Sequence, residues 1–108
     1  MSLEHFKLED MIKGWFIGSF EPTLFTTENF EVGIKQYTAG DTEAEHYHKI
    51  ATEFTVILNG SVEMDGKQYR HGDIVKVKPG VATNFIALSN VTTVVVKVPC
   101  AINDKYLK

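Results

Sequence analysis

The stretch from Gly40 to Gly60 reads GDTEAEHYHKIATEFTVILNG. It holds two histidines, His46 and His48, that are separated by one residue. Side chains of a β-strand alternate between its two faces, so both imidazoles point to the same side. Glu53 follows closely enough to approach them from the next strand. Two neutral imidazoles and one carboxylate suit a divalent transition metal and leave other coordination positions open. His46, His48 and Glu53 are therefore candidate metal ligands.

Short β-strands separated by turn residues are predicted through most of the chain. The Asn59-Gly60 and Asp65-Gly66 pairs are typical of hairpin turns, because these residue types tolerate positive φ. The run Val94-Val95-Val96 is typical of a buried strand. The strands are expected at 30–38, 43–48, 53–58, 61–64, 67–70, 74–78, 82–88 and 91–98. About eight short strands in this arrangement predict an all-β sandwich or barrel, which can enclose one small ligand.

The N-terminal residues have a different pattern. Leu3, Phe6, Met11 and Ile12 recur near helical spacing, which predicts a short amphipathic helix. The glycine-bounded segment 14–18 is a first strand or a packed arm. We expect one domain over residues 1–108, with an N-terminal arm at 1–29, a barrel core at 30–98 and a C-terminal tail at 99–108.

Composition excludes several classes of partner. The net charge of −3 and the absence of a basic run argue against nucleic acid. The single cysteine, Cys100, excludes an intrachain disulfide and favours a reducing compartment. No apolar run approaches the ~18 residues of a membrane span, and no signal peptide opens the sequence. We therefore expect a cytoplasmic protein with no membrane partner.

Two segments resemble the motifs of the cupin superfamily. Residues 40–60 satisfy every fixed position of the first motif, G-x5-H-x-H-x(3,4)-E-x6-G. Residues 72–87 resemble the second motif, G-x5-P-x-G-x2-H-x3-N, in part. Lys78 stands at the proline position and the proline follows it as Pro79, while Gly80 is in place. The histidine position is Thr83, and the asparagine position is Ala87.

The resemblance implies a cupin-type small β-barrel, or double-stranded jelly roll, with a metal inside and often a homodimeric assembly. His46, His48 and Glu53 would be the metal ligands. The metal would be divalent Fe, Mn, Ni, Cu or Zn, all of which remain open from the sequence. Because Thr83 replaces the usual third histidine, the fourth position would be taken by water, by substrate or by nothing.

The resemblance also implies a class of activity. Metal-dependent isomerases or epimerases of sugars and dioxygenases both fit it. Segments 14–18 and 94–99 are similar to small cupins of sugar metabolism, which favours a small, oxygen-rich, sugar-like substrate. The alternatives are a non-catalytic module that binds a small molecule or a metal, and a barrel used mainly for oligomerisation.

Four further residues are candidates for the lining of the ligand cavity. Thr83 and Phe85 share a strand face with the substituted ligand position. Lys35 and Tyr37 share a face of another strand, where they would bind an anionic substrate or form a solvated edge.

Overall fold

The structure, a computed structural model, describes residues 2–108. Met1, the first residue of the expected arm, lies outside this range. One turn of 3₁₀ helix at Leu8–Asp10 precedes ten strands. The strands are β1 (Trp15–Ile17), β2 (Glu31–Tyr37), β3 (Thr42–Tyr47), β4 (Thr52–Asn59), β5 (Ser61–Met64), β6 (Lys67–Arg70), β7 (Ile74–Val77), β8 (Thr83–Ala87), β9 (Val91–Val98) and β10 (Tyr106–Leu107). The all-β prediction is confirmed.

The strands form two five-stranded sheets with the orders β1-β2-β9-β4-β7 and β10-β3-β8-β5-β6. Every pairing is antiparallel. The sheets face each other across an apolar core, whose buried members are Ile57, Val62, Met64, Val77, Phe85, Ala87 and Val91. Strands of both sheets supply this core, so neither sheet would bury its apolar face without the other.

The inner faces of the strands change from apolar to polar along the barrel. In β4 the inward residues run from Ile57 to Thr55 and Glu53, and in β8 they run from Ala87 to Thr83. The apolar ends form the core, and the polar ends surround a cavity. The fold thus separates a packed half, which supplies stability, from a polar half.

The two predicted hairpin turns have different outcomes. Asp65 and Gly66 have φ values of 50° and 79° and join β5 to β6, which pair with each other. The hairpin prediction is confirmed there. It is wrong at Asn59-Gly60, because β4 and β5 lie in different sheets. Gly60 instead turns a corner between sheets, where a Cβ atom would lie 2.3 Å from the Asn90 carbonyl oxygen.

The predicted N-terminal amphipathic helix is wrong. Only the short 3₁₀ turn forms, and Leu3 is 99% exposed. A helix this short is marginal in water unless a packed apolar face stabilises it. The chain then enters β1, which pairs with β2, while β10 in the expected tail pairs with β3. No helix within residues 2–108 is long and apolar enough to cross a membrane.

Candidate metal centre and its cavity

Backbone carbonyls orient both histidines. His46, on β3, lies directly opposite Thr83 of β8, and His48 follows the end of β3. The Nδ1 atom of His46 lies 2.8 Å from the carbonyl oxygen of Ala44, and Nδ1 of His48 contacts the carbonyl oxygen of Asp104. A carbonyl oxygen only accepts hydrogen bonds, so each Nδ1 carries the proton. In its neutral form each ring then keeps a lone pair on Nε2, which is the arrangement typical of metal-binding histidines.

His48 and Glu53 meet in the interior. Nε2 of His48 lies 3.7 Å from Oε1 of Glu53, and the rings of His46 and His48 are 5.4 Å apart, edge to face. His48 is 4% exposed, and its Nε2 is buried without a hydrogen-bond partner. An imidazole lone pair and a carboxylate repel each other at this distance. The pair therefore needs a proton or a metal cation between its members.

The electrostatics of this pair agree with that requirement. The Glu53 carboxylate raises the pKa of His48, against the lowering effect of burial. Burial raises the pKa of Glu53, but the interaction with His48 and the positive charge of Lys97 outweigh it and hold that pKa below its ordinary value. A divalent cation between the two groups would take the place of such a proton.

The donor atoms of the three predicted ligands fit a divalent transition metal. Residues 2–108 contain no preassembled set of three or more His, Cys, Asp or Glu ligands, so a metal held by all three residues would require His46 to move toward the His48–Glu53 pair. Thr83 is a poor candidate for a further ligand, because a neutral hydroxyl binds a divalent transition metal weakly; its hydroxyl donates to the carbonyl oxygen of Asn84 at 2.8 Å. The site fits a metal held by three protein side chains and one or more outside ligands.

The histidines open into a cavity of about 240 Å³. Its lining includes all seven residues singled out from the sequence, namely His46, His48, Glu53, Thr83, Phe85, Lys35 and Tyr37. An outer groove of about 850 Å³ shares Lys13, Lys35, Tyr37 and Glu43 with it. These four residues form the mouth through which a ligand would enter.

Solved structures share this architecture. A double-stranded β-helix protein from Klebsiella pneumoniae aligns with a TM-score of 0.64 at 22% identity, over 68% of this chain and 66% of that chain. DMSP lyase DddQ from Ruegeria pomeroyi aligns with a TM-score of 0.70 at 20% identity, over 85% of this chain and 48% of that chain. Oxalate decarboxylase from Bacillus subtilis, which has Mn(II) centers, aligns with a TM-score of 0.63 at 18% identity, over 75% of this chain and 24% of that chain. The chain has the cupin fold.

These likenesses show the fold and not the activity, because each identity is below 25%. The chain spans less than two thirds of the length of each of the three proteins. No family model matches the sequence, and no curated protein matches it.

Tyr37 and Lys35 place contrasting groups in the cupin cavity. The Tyr37 ring packs on Phe85 across the barrel, with centroids 4.4 Å apart. Burial, together with the charges of Glu43 and Glu53, raises the pKa of Tyr37, so the phenol keeps its proton. Burial lowers the pKa of Lys35. The charge of Glu43 raises that pKa, and the charges of neighbouring lysines lower it further. Tyr37 is a neutral hydrogen-bond donor, and Lys35 is a partly desolvated cation.

Asp104, which no sequence pattern singled out, fixes the segment between His48 and Glu53. Its two carboxylate oxygens accept hydrogen bonds from the backbone amides of Lys49, Ile50 and Ala51, at distances from 2.9 to 3.2 Å. Its own carbonyl holds His48. Burial raises the pKa of the Asp104 carboxyl, but the amides of Ala51, Lys49 and Ile50 outweigh burial and lower it overall. No local pattern marks this residue, since its partners lie more than fifty positions earlier.

The other lining residues that the sequence did not single out include Thr93, Lys97 and Trp15. Thr93 and Lys97 alternate with Val94 and Val96 along β9, so the same period-two reasoning that placed Glu53 inward could have placed them inward. Trp15 comes from the arm and had no such signal.

Proposed function

We propose that this protein binds a divalent transition metal through His46, His48 and Glu53 and acts as an enzyme on a small, oxygen-bearing substrate in the same cavity. One observation carries the proposal: the buried Nε2 of His48 has no hydrogen-bond partner and faces the Glu53 carboxylate at 3.7 Å. A buried, unsatisfied polar atom costs about 1–3 kcal/mol. A bound cation removes that cost.

The other features of the site support an open metal centre. Thr83 supplies no ligand, so a three-ligand site leaves room for a substrate oxygen. The metal, when bound, supplies Lewis-acid polarisation of such an oxygen, or dioxygen chemistry if it is iron. Oxalate decarboxylase, which shares this fold, has Mn(II) centers, and this likeness also supports a metal.

The chain's own residues would bind and orient the substrate. Tyr37, which keeps its proton, donates a hydrogen bond to a substrate oxygen. Lys35, at the mouth, offers a partly desolvated ammonium group, whose pKa is lowered by burial. The aromatic face of Phe85 excludes water from one side of the cavity.

A non-catalytic binding module is the second candidate. The absence of a preassembled ligand set within residues 2–108 favours it, as does the loss of the third histidine at Thr83. In this case the barrel would hold a metabolite without turning it over. Ligand-induced thermal stabilisation without turnover would favour this second candidate.

Metal titration tests the proposal directly. Chelator-treated, tag-free protein is titrated with Mn²⁺ and Co²⁺ by calorimetry, and metal content is checked by elemental analysis. We expect about one equivalent per chain. His48→Ala and the isosteric Glu53→Gln should abolish high-affinity binding. His71→Ala is the matched control, because His71 is exposed in the turn after β6 and should leave binding unchanged. Unaltered metal uptake by folded His48→Ala and Glu53→Gln proteins would refute the ligand assignment.

A further inference from the structure

An aromatic platform holds two lysines at the cavity. Nζ of Lys35 lies 5.4 Å from the ring centroid of Trp15, and Nζ of Lys97 lies 5.1 Å from it. Both distances are within the range of a cation–π interaction. The ring is held against Gly33, its partner across β1 and β2, where a Cβ atom would lie 2.6 Å from the indole. The two ammonium groups are thus positioned by a packed element.

A buried hydroxyl lies beside this pair. Thr93 is 0% exposed, lines the cavity, and its Oγ1 has no hydrogen-bond partner. It is directly opposite Lys35 in the pairing of β2 with β9. Side chains opposite each other in an antiparallel pair are close enough to contact one group. An unsatisfied hydroxyl in the wall of a cavity, at a strand position paired with Lys35, indicates a ligand that accepts hydrogen bonds.

The charges of the residues that line the cavity indicate the charge of that ligand. Four lysines line the cavity against two glutamates, Glu43 and Glu53. None of these lysines is in an ion pair, because the ion pairs found within residues 2–108 are Lys7–Glu9 and His48–Glu53. The chain as a whole carries a net charge of −3. Positive charge is therefore concentrated at the cavity of an acidic protein, which attracts anions to it.

We propose that Lys35, Lys97 and Thr93 form a subsite for a carboxylate group of the ligand, next to the predicted metal ligands, so that the cavity selects small organic acids over neutral molecules of the same size. This inference rests on the proposed function only in placing the subsite in the same cavity. The lysines and the threonine would bind the carboxylate whether or not metal is present.

A carboxylate fits better than a phosphate. Phosphate sites are commonly built from free backbone amides at helix N-termini or glycine-rich loops. Here Lys35, Thr93 and Lys97 project from strands β2 and β9, which pair with each other through their backbones. The cavity of about 240 Å³ lies below the usual ~300–1,000 Å³ of ligand pockets, which limits the ligand to a small acid.

Two pairs of small probe molecules isolate the effect of the carboxylate charge on binding. Malonate and malonamide differ little in size, as do lactate and lactamide, and only the acids carry a carboxylate. Binding is measured by calorimetry and by ligand-observed NMR, on the full chain as purified and after chelator treatment. The variants are Lys35→Met and Thr93→Val. Lys76→Met is the matched control, because Lys76 also lies over an aromatic ring, Phe54 at 5.7 Å, but does not line the cavity.

We expect the acids to bind at least about tenfold more tightly than the amides, with or without metal. Lys35→Met should weaken malonate binding by about 10- to 100-fold and Thr93→Val by a few-fold, whereas Lys76→Met should have no effect. Sodium chloride should weaken malonate binding to the unmodified chain and leave malonamide unchanged. That comparison tests the inference even if Lys35→Met does not fold.

Three results would overturn the inference: equal affinity for malonate and malonamide, an equal effect of Lys76→Met and Lys35→Met, or tighter binding of inorganic phosphate than of malonate. The same measurements distinguish a failure of the metal proposal from a failure of the carboxylate subsite. Metal uptake without preference for acids refutes only the carboxylate subsite. Preference for acids without metal uptake refutes only the metal centre.

Discussion

Replacing Asp104 with asparagine tests whether the C-terminal segment holds the loop after His48 in place. Asp104 is buried, and Oδ1 and Oδ2 together accept the amides of Lys49, Ile50 and Ala51. Asparagine has the same shape but only one acceptor oxygen. Whichever way its carboxamide turns, the NH₂ group faces the amide of Lys49 or of Ala51. One backbone donor therefore loses its acceptor and meets another donor.

The magnitude follows from these contacts. Hydrogen bonds to a charged group contribute about 1.5–3 kcal/mol, and Asp104→Asn removes the charge together with at least one such bond. We expect the free energy of unfolding to fall by about 1.5–3 kcal/mol, which lowers Tm by about 7–13 °C for a chain of this length. Because the same residue's carbonyl orients His48, metal affinity should also fall about tenfold as the loop loosens.

The assay compares the thermal and urea unfolding of the Asp104→Asn variant with that of the Asp41→Asn variant. Asp41 is the matched control, because its exposed carboxylate accepts one backbone amide, that of Thr38 at 2.8 Å, a bond that asparagine can also accept. We expect Asp41→Asn to stay within about 0.5 kcal/mol of the unmodified protein. Equal effects of the two substitutions would refute the reasoning.

The pH dependence of stability gives a second measurement on the same variant. The pKa of Asp104 is lower in the folded protein than its ordinary value, so the unfolded chain binds the proton more readily. Its contribution to stability is fully present above the unfolded pKa of about 3.9 and is lost as pH falls through the folded value. Asp104→Asn should therefore lose less stability than the unmodified protein in this acid range.

Two other predictions concern the walls of the cavity. Thr93→Val should raise the stability of the ligand-free protein by about 1 kcal/mol, because it removes an unsatisfied buried hydroxyl. Thr55→Val should lower the stability by a similar amount, because the Thr55 hydroxyl donates to Glu53 at 3.3 Å. Urea unfolding that gives both changes the same sign would contradict this pair of predictions. Gly33→Ala should cost about 1–3 kcal/mol through its clash with Trp15, and the cost should disappear in a Trp15→Ala background in a double-mutant cycle; an undiminished cost would show that the clash is not its cause.

The fold was predictable where local chemistry alone fixes an element. The predicted bounds of β5, β6 and β9 match the structure, because turn residues enclose each strand. Asn59-Gly60 shows the limit of this reasoning. Its conformational preference is local, but whether the flanking strands pair with each other depends on β7 and β9, which take both neighbouring positions of β4. The sequence pattern thus locates a turn without giving the topology.

The candidate site divides in the same way. His46, His48 and Glu53 lie close in the chain, and strand alternation is enough to direct them to one cavity. Trp15 reaches that cavity and Asp104 reaches His48 from the two ends of the chain, through contacts that depend on the closed barrel. No periodicity links them to the histidines, so reasoning from the sequence left both of them outside the site.

Two features of the cavity, Thr83 at the position of the motif histidine and the excess of lysines in the lining, fit the same kind of ligand. The second motif usually carries a histidine at this position. Here it is Thr83, which pairs with His46 across the strands and donates its hydroxyl to the Asn84 carbonyl, so that a metal on the three proposed ligands would lack the usual fourth one. A carboxylate is both a metal ligand and the natural partner of unpaired lysines. An organic acid bound to Lys35 and Thr93 would therefore also supply the donor that Thr83 lacks, so that ligand and protein complete the metal centre together.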